Sequence, residues 1–138
     1  MLSNLLFNRT VVPDLEKSMN VYSLRQKTIS NNIANAMTPG YQALEVSFEE
    51  EYRRSLNPNA VRGRRTDENH LPLGTKNFSQ IKPEVRLKGD PLNDSGLNNV
   101  DIDKEMAEMA ENMLRYEMST KLIGKRFANI KGAIRGRA

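Results

Sequence analysis

Apolar residues in the first third of the chain fall at Leu15, Met19, Tyr22, Ile29, Ile33 and Ala36, with one polar break at Gln26. The steps alternate between four and three, the spacing of a coiled-coil seam. A helix is predicted from about Pro13 to Ala36, with Pro13 in its first turn and Thr10 as a candidate cap. A polar residue within a seam, as Gln26 is, acts as a register or partner-selecting device or else stands exposed. The last third repeats the pattern at Ile102, Met106, Met109, Met113, Tyr116, Thr120, Ile123, Phe127, Ile130 and Ile134. Asp101 or Asp103 can cap this second helix, and its methionines make the first half of the seam adaptable.

Between the two series the pattern weakens. Ser47-Phe-Glu-Glu50 reads as a capping box that opens a short helix with Phe48, Tyr52 and Leu56 on one stripe. Residues 57–100 are rich in proline, glycine and asparagine and read as irregular, with a brief strand or hairpin near Ile81 to Leu87. The expected fold is mainly α, with long N- and C-terminal helices pairing as a coiled coil around a short helix and an irregular middle segment. It divides into residues 1–41, 42–100 and 101–138. Leu2, Leu5, Leu6 and Phe7 form an apolar start that can dock on a neighbour.

Where the first helical pattern stops, the chain reads Ser30-Asn-Asn-Ile-Ala-Asn-Ala-Met-Thr-Pro-Gly-Tyr41. Pro39 pushes Thr38 toward extended geometry, Gly40 permits a positive φ, and Tyr41 is delivered at a fixed angle beyond the turn. Asn32 and Asn35 share one helix face, where their amides can bond backbone or a neighbouring chain. This string resembles the N-terminal segment of the flagellar rod, hook and hook-associated axial proteins, in which Asn-Ile-Ala-Asn is followed by Thr-Pro-Gly-Tyr. Met37 stands where that family usually has a small polar or acidic residue. The short length and the Val100-Asp-Ile-Asp-Lys-Glu-Met106 approach to the last helix are most similar to a proximal rod protein of the family.

The resemblance implies a structural subunit of the basal-body rod that transmits torque, with N- and C-terminal helices packed along the axis. It implies export through the flagellar type III apparatus without a cleaved signal. Its partners would be further copies, other proximal rod proteins, the rod-to-ring junction protein and the membrane ring. Asn32, Asn35, Thr38, Pro39, Gly40 and Tyr41 would be the assembly motif. The packing seams would be Leu15, Met19, Tyr22, Ile29 and Ile33 with Met106, Met109, Met113, Tyr116, Ile123, Phe127 and Ile130. Another rod protein of the same family is the alternative within this class.

Composition narrows the remaining classes. With 38% hydrophobic residues and no Trp in 138 residues, composition argues against a large independent core, and the lack of Cys excludes a disulfide framework and a thiolate site. The N-terminus lacks the basic start, long apolar run and cleavage site of a secretory signal. His70, the single histidine, has no nucleophile motif around it, and no phosphate-binding glycine loop occurs. The stretch from Asp90 to Asn99 fails as a calcium loop, because Pro91 takes the first ligand position when Gly96 is the sixth. Neither catalytic residues nor a metal, cofactor or small-molecule substrate is expected.

A net charge of +4 raises nucleic acid or an acidic surface as partners. Its distribution argues otherwise. The last helix is acidic from Asp101 to Glu117 and purely basic from Lys121 onward, as the helix dipole prefers. Arg62, Arg64 and Arg65 form a separate basic cluster that reads as a solvated loop. No aromatic stacking residues or helix-turn-helix spacing accompany these cations, so a basic adaptor or nucleic-acid-binding protein is the weaker alternative.

Overall fold

The computed structural model describes residues 11–55, 81–89 and 98–136. The Leu2 to Phe7 start, Thr10, Leu56, the arginine cluster, His70 and residues 90–97 lie outside the described residues. The elements in order are α1 (Val12–Ala34), β1 (Leu44–Ser47), α2 (Glu49–Ser55), β2 (Glu84–Leu87) and α3 (Ile102–Ile134). They form two compact parts, one made of the chain up to Val46 and from Val85 onward, the other of Ser47–Glu84.

In the first part α1 lies against α3. The two run antiparallel, since Tyr22 and Gln26 in α1 meet Asn112 in α3 whereas Asn32, later in α1, meets Glu105, earlier in α3. α1 starts with Pro13 in its first turn, where the missing N–H costs nothing, and Val11 is its N-cap. Asp101 caps α3 by accepting hydrogen bonds from the Asp103 and Lys104 amides. Gly136, at φ +66°, closes the helix past Arg135.

The strand expected near Ile81 to Leu87 is β2. Its antiparallel partner is β1, directly after the Tyr41 turn, so the pairing joins distant stretches of chain. Lys88 N–H continues the ladder to Ala43 O at 2.7 Å. Ser47 belongs to β1, so the short helix opens at Glu49, two residues beyond the serine read as its cap. In the second part Phe48 and Tyr52 stack with ring centres 5.8 Å apart, and Ile81 is buried.

Among the described residues of the first part, the buried set holds Val12, Val21, Ile29, Ala43 and Val46, matched by Thr28, Asn32, Glu105, Asn112 and Ser119. So balanced a core contributes little hydrophobic stabilisation and leans on its polar contacts, in which, among the described residues, Asn112 Oδ1 is the one buried polar side-chain atom without a hydrogen-bond partner.

Candidate functional site

The site is built around Asn32, which is fully buried. Its amide nitrogen donates to Leu44 O at 2.8 Å and to Glu105 Oε2 at 3.0 Å. Its amide oxygen accepts from Leu44 N and from the Tyr41 hydroxyl, both at 3.0 Å. Two donors and two acceptors are the full capacity of an asparagine side chain, and here all four are used. One residue thus ties α1 to the turn, to β1 and to α3.

Glu105 is buried with it, 1% exposed, and takes its countercharge from Lys88, whose Nζ donates to Glu105 Oε1 at 3.0 Å and to Glu108 Oε1 at 2.6 Å. Burial opposes the Lys88 charge, but hydrogen bonds to Glu108 and Glu105 outweigh it and raise the pKa above the ordinary 10.5. Tyr41 is also raised above its ordinary 10.0, first by burial and then by the Glu105 charge. Both groups hold their protons more tightly folded than unfolded. The stability they lend is complete below the ordinary values and is lost as pH rises through the raised ones. Urea midpoints are therefore expected to hold steady up to about pH 10 and to fall above it, and the fall should be smaller in Lys88→Met.

The rest of the motif forms a clamped turn. Asn35 caps α1, donating from Nδ2 to Asn31 O, and its Oδ1 accepts from the Thr38 hydroxyl. Thr38 and Pro39 are exposed, and Gly40 adopts φ +73°, which a side chain rarely tolerates. Met37 points into solvent, 91% exposed. The clamp itself comes from outside the motif: Asn98 Nδ2 donates to Asn35 O, Ala36 O and Thr38 O at 2.8–3.0 Å. Asn99 adds a second tie, accepting from Ala43 N at 2.6 Å and donating to Lys88 O. Both asparagines sit at the end of the stretch that fails as a calcium loop, and only the fold reveals their partners. Asn98→Ala is expected to lower stability by about 2 kcal/mol and to speed hydrogen exchange at the Tyr41 amide.

The seam residues divide. In α1, Ile29 is buried, and Leu15, Met19, Tyr22 and Ile33 are half-buried. The polar break at Gln26 accepts a hydrogen bond from Asn112 Nδ2 at 2.9 Å, an interhelical pair of the register-fixing kind. In α3, Met109, Ile123 and Ile130 are half-buried, whereas Met106, Met113, Tyr116 and Phe127 are exposed by 42–60%. Glu105, Asn112 and Ser119 are the buried positions instead. Each lies one residue before a predicted seam position, a rotation of about 100°. The cause is Glu105: drawn inward by Asn32 and Lys88, it sets the phase of the helix. Residues one and two heptads on follow it, and the methionines turn to the flank.

That flank, with α1, forms an open groove of about 1090 Å³ lined by residues including Tyr22, Gln26, Met113, Tyr116 and Thr120. Leu114, which also lines the groove, is exposed together with Met118 and Leu122, a further apolar row on α3 that the seam alternation does not include. Their step of four was visible in the sequence, masked by the longer series beside it.

Residues 18–42, which hold the whole motif, match the model of the flagella basal body rod protein family. The flagellar basal body rod protein FlgB of Bacillus subtilis is 33% identical over 134 residues, covering 95% of this chain and 97% of the relative. FlgB of Borreliella burgdorferi is 35% identical over 118 residues, covering 81% and 86%. FlgB of Salmonella typhimurium is 29% identical over 130 residues, covering 88% and 90%. Together with the motif geometry, these similarities show that the chain belongs to the FlgB family of flagellar basal body rod proteins, structural components of the rod.

Proposed function

We propose that the chain is a non-enzymatic subunit of the proximal rod, assembling through coiled-coil packing of α1 and α3 with neighbours and passing torque from the membrane ring toward the distal rod and hook. The observation that carries this reading is the flank of α3. Met106, Met113, Tyr116 and Phe127 keep seam spacing yet stand 42–60% exposed while Glu105 fixes the helix in that phase. An apolar row held outward by a buried polar anchor serves an intermolecular contact. Its partners would be further copies, other proximal rod proteins, the rod-to-ring junction protein and the membrane ring, reached by flagellar type III export. Asn32, Asn35, Thr38, Pro39, Gly40 and Tyr41 would act by holding the α1 end, β1 and α3 in one geometry that neighbours can recognise.

The test is a strain lacking the chain, scored for swimming in soft agar and for rods in isolated basal bodies by electron microscopy. Membrane rings without rods, and no swimming, are expected. Intact rods with normal swimming would overturn the reading.

A further inference from the structure

α3 outruns α1. The pairs Asn32 with Glu105 and Gln26 with Asn112 fix the antiparallel register, in which paired residue numbers total about 137. α1 begins at Val12, level with about residue 125 of α3, whereas α3 continues to Ile134. About nine residues of α3, roughly 14 Å at about 1.5 Å per residue, therefore lie beyond the start of α1.

The side of α3 that faces α1 changes character over that overhang. At about 100° per residue, Ile123, Ile130 and Ile134 all point within about 20° of Glu105. Where α1 is present, that side buries Glu105, Asn112 and Ser119. Past the start of α1 it turns apolar and opens to solvent: Ile130 is half-buried and Ile134 is 72% exposed, with Phe127, 47% exposed, beside them. Polar residues thus face α1, and isoleucines face the space in line with it.

The chain leading into α1 comes from that space. An N-cap ordinarily has extended backbone, but Val11 is near-helical at φ −74° and ψ −1°, so the chain before it arrives roughly along the α1 axis. Residues 1–10 precede it, and Leu2, Leu5 and Leu6 among them have the spacing of one helix stripe. Wound as a helix, residues 2–10 span roughly 14 Å, the length of the overhang.

We infer that residues 2–10 form a short helix that docks on the end of α3 of the same chain, with Leu2, Leu5 and Leu6 against Ile130 and Ile134. The continued register sets those leucines level with about residues 131–135. Pro13 has no N–H to offer the carbonyl of Arg9, so this helix is separate from α1. A helix so short does not hold alone in water, and the isoleucines supply the surface on which it forms. Both sides carry cations and no acid, Arg9 on the segment and Arg126, Lys131 and Arg135 around the isoleucines, so the contact is apolar and withstands salt. An acidic partner helix, the other occupant suited to a basic helix end, would be released by salt. The contact lies within one chain and is present in the isolated protein, outside any rod.

The chain has no cysteine, so introduced thiols report the contact without background. In the purified full-length chain, kept dilute, Leu5→Cys is paired in turn with Ile130→Cys, Ile134→Cys and Ala128→Cys, and mild oxidation is followed by mass spectrometry. Ala128 lies in the same stretch but points about 140° from Glu105, out of reach of a docked residue 5. An intrachain bond is expected with Ile130→Cys or Ile134→Cys at least about tenfold faster than with Ala128→Cys, in high salt as in low. In the otherwise unaltered chain, Leu5→Asp should speed amide exchange at residues 127–134 about tenfold and leave residues 105–112, which the Asn32 network holds, unchanged.

Equal rates with all three partners would overturn the inference, since an undocked tail reaches them alike. Bonds formed only between chains would overturn it in favour of a second copy as the occupant, and a bond lost in high salt in favour of docking led by charge. No bond, or exchange unaltered by Leu5→Asp, would overturn it in favour of a different protein on the isoleucines. None of these results touches rod formation, which the strain lacking the chain decides.

Discussion

Asn32→Ala is expected to destabilise the chain by about 3–4 kcal/mol, read as a lower urea midpoint, since it strands several buried polar groups at once. Glu105 Oε2 loses a donor in a site where its carboxylate is 1% exposed, and Leu44 N–H and C=O lose the partners that hold the start of β1. The Tyr41 hydroxyl loses its acceptor too. Against a typical domain stability of roughly 5–15 kcal/mol, that loss removes a large share of the margin that holds the chain folded. Asn32→Asp is the sharper case. It matches the side chain in size and keeps an acceptor for Leu44 N and Tyr41, but it puts a second carboxylate against Glu105 and an acceptor against Leu44 O. It should be at least as damaging as alanine. A variant carrying aspartate at wild-type stability would refute the hydrogen-bond assignment of Asn32.

The helices were legible because their signals are local. Seam spacing, Pro13 and the Asp101 cap all act within a few residues, and α1 and α3 lie close to where those signals place them. The turn was legible for the same reason, through Pro39 and the positive φ of Gly40. β1 was not, because Leu-Glu-Val-Ser alternates over four residues only, too short a run to specify a strand until β2 arrives from far along the chain. The phase of α3 was hidden most deeply. An acid in a first helical turn ordinarily faces solvent and serves the helix dipole. Glu105 faces inward because Asn32, 73 positions away, and Lys88, 17 positions away, converge on its two oxygens. Two distant polar contacts thereby outweighed the preference of Met106 and Met113 for burial.

That inversion gives the second large effect, one that separates folding from assembly. Met113 keeps the seam spacing but is 60% exposed, so Met113→Asp replaces a wet side chain and should change monomer stability by no more than about 1 kcal/mol. If the flank is an assembly surface, the same change puts a charge where a neighbouring subunit must exclude water, and swimming and rod formation should be lost. Ile123→Asp provides the contrast. Ile123 is half-buried, on the face of α3 that carries Asn112 and Ser119, so an aspartate there should lower monomer stability as well as abolish rods. Circular dichroism melts of the purified variants beside soft-agar swimming separate the two routes. A Met113→Asp chain that folds normally and still builds rods would show that the exposed methionine row meets no neighbour. A Met113→Asp chain that fails to fold would show that the row supports the monomer. Loss of rods with an unchanged melt leaves contact with a neighbouring subunit as the reason a buried carboxylate holds an apolar row toward solvent.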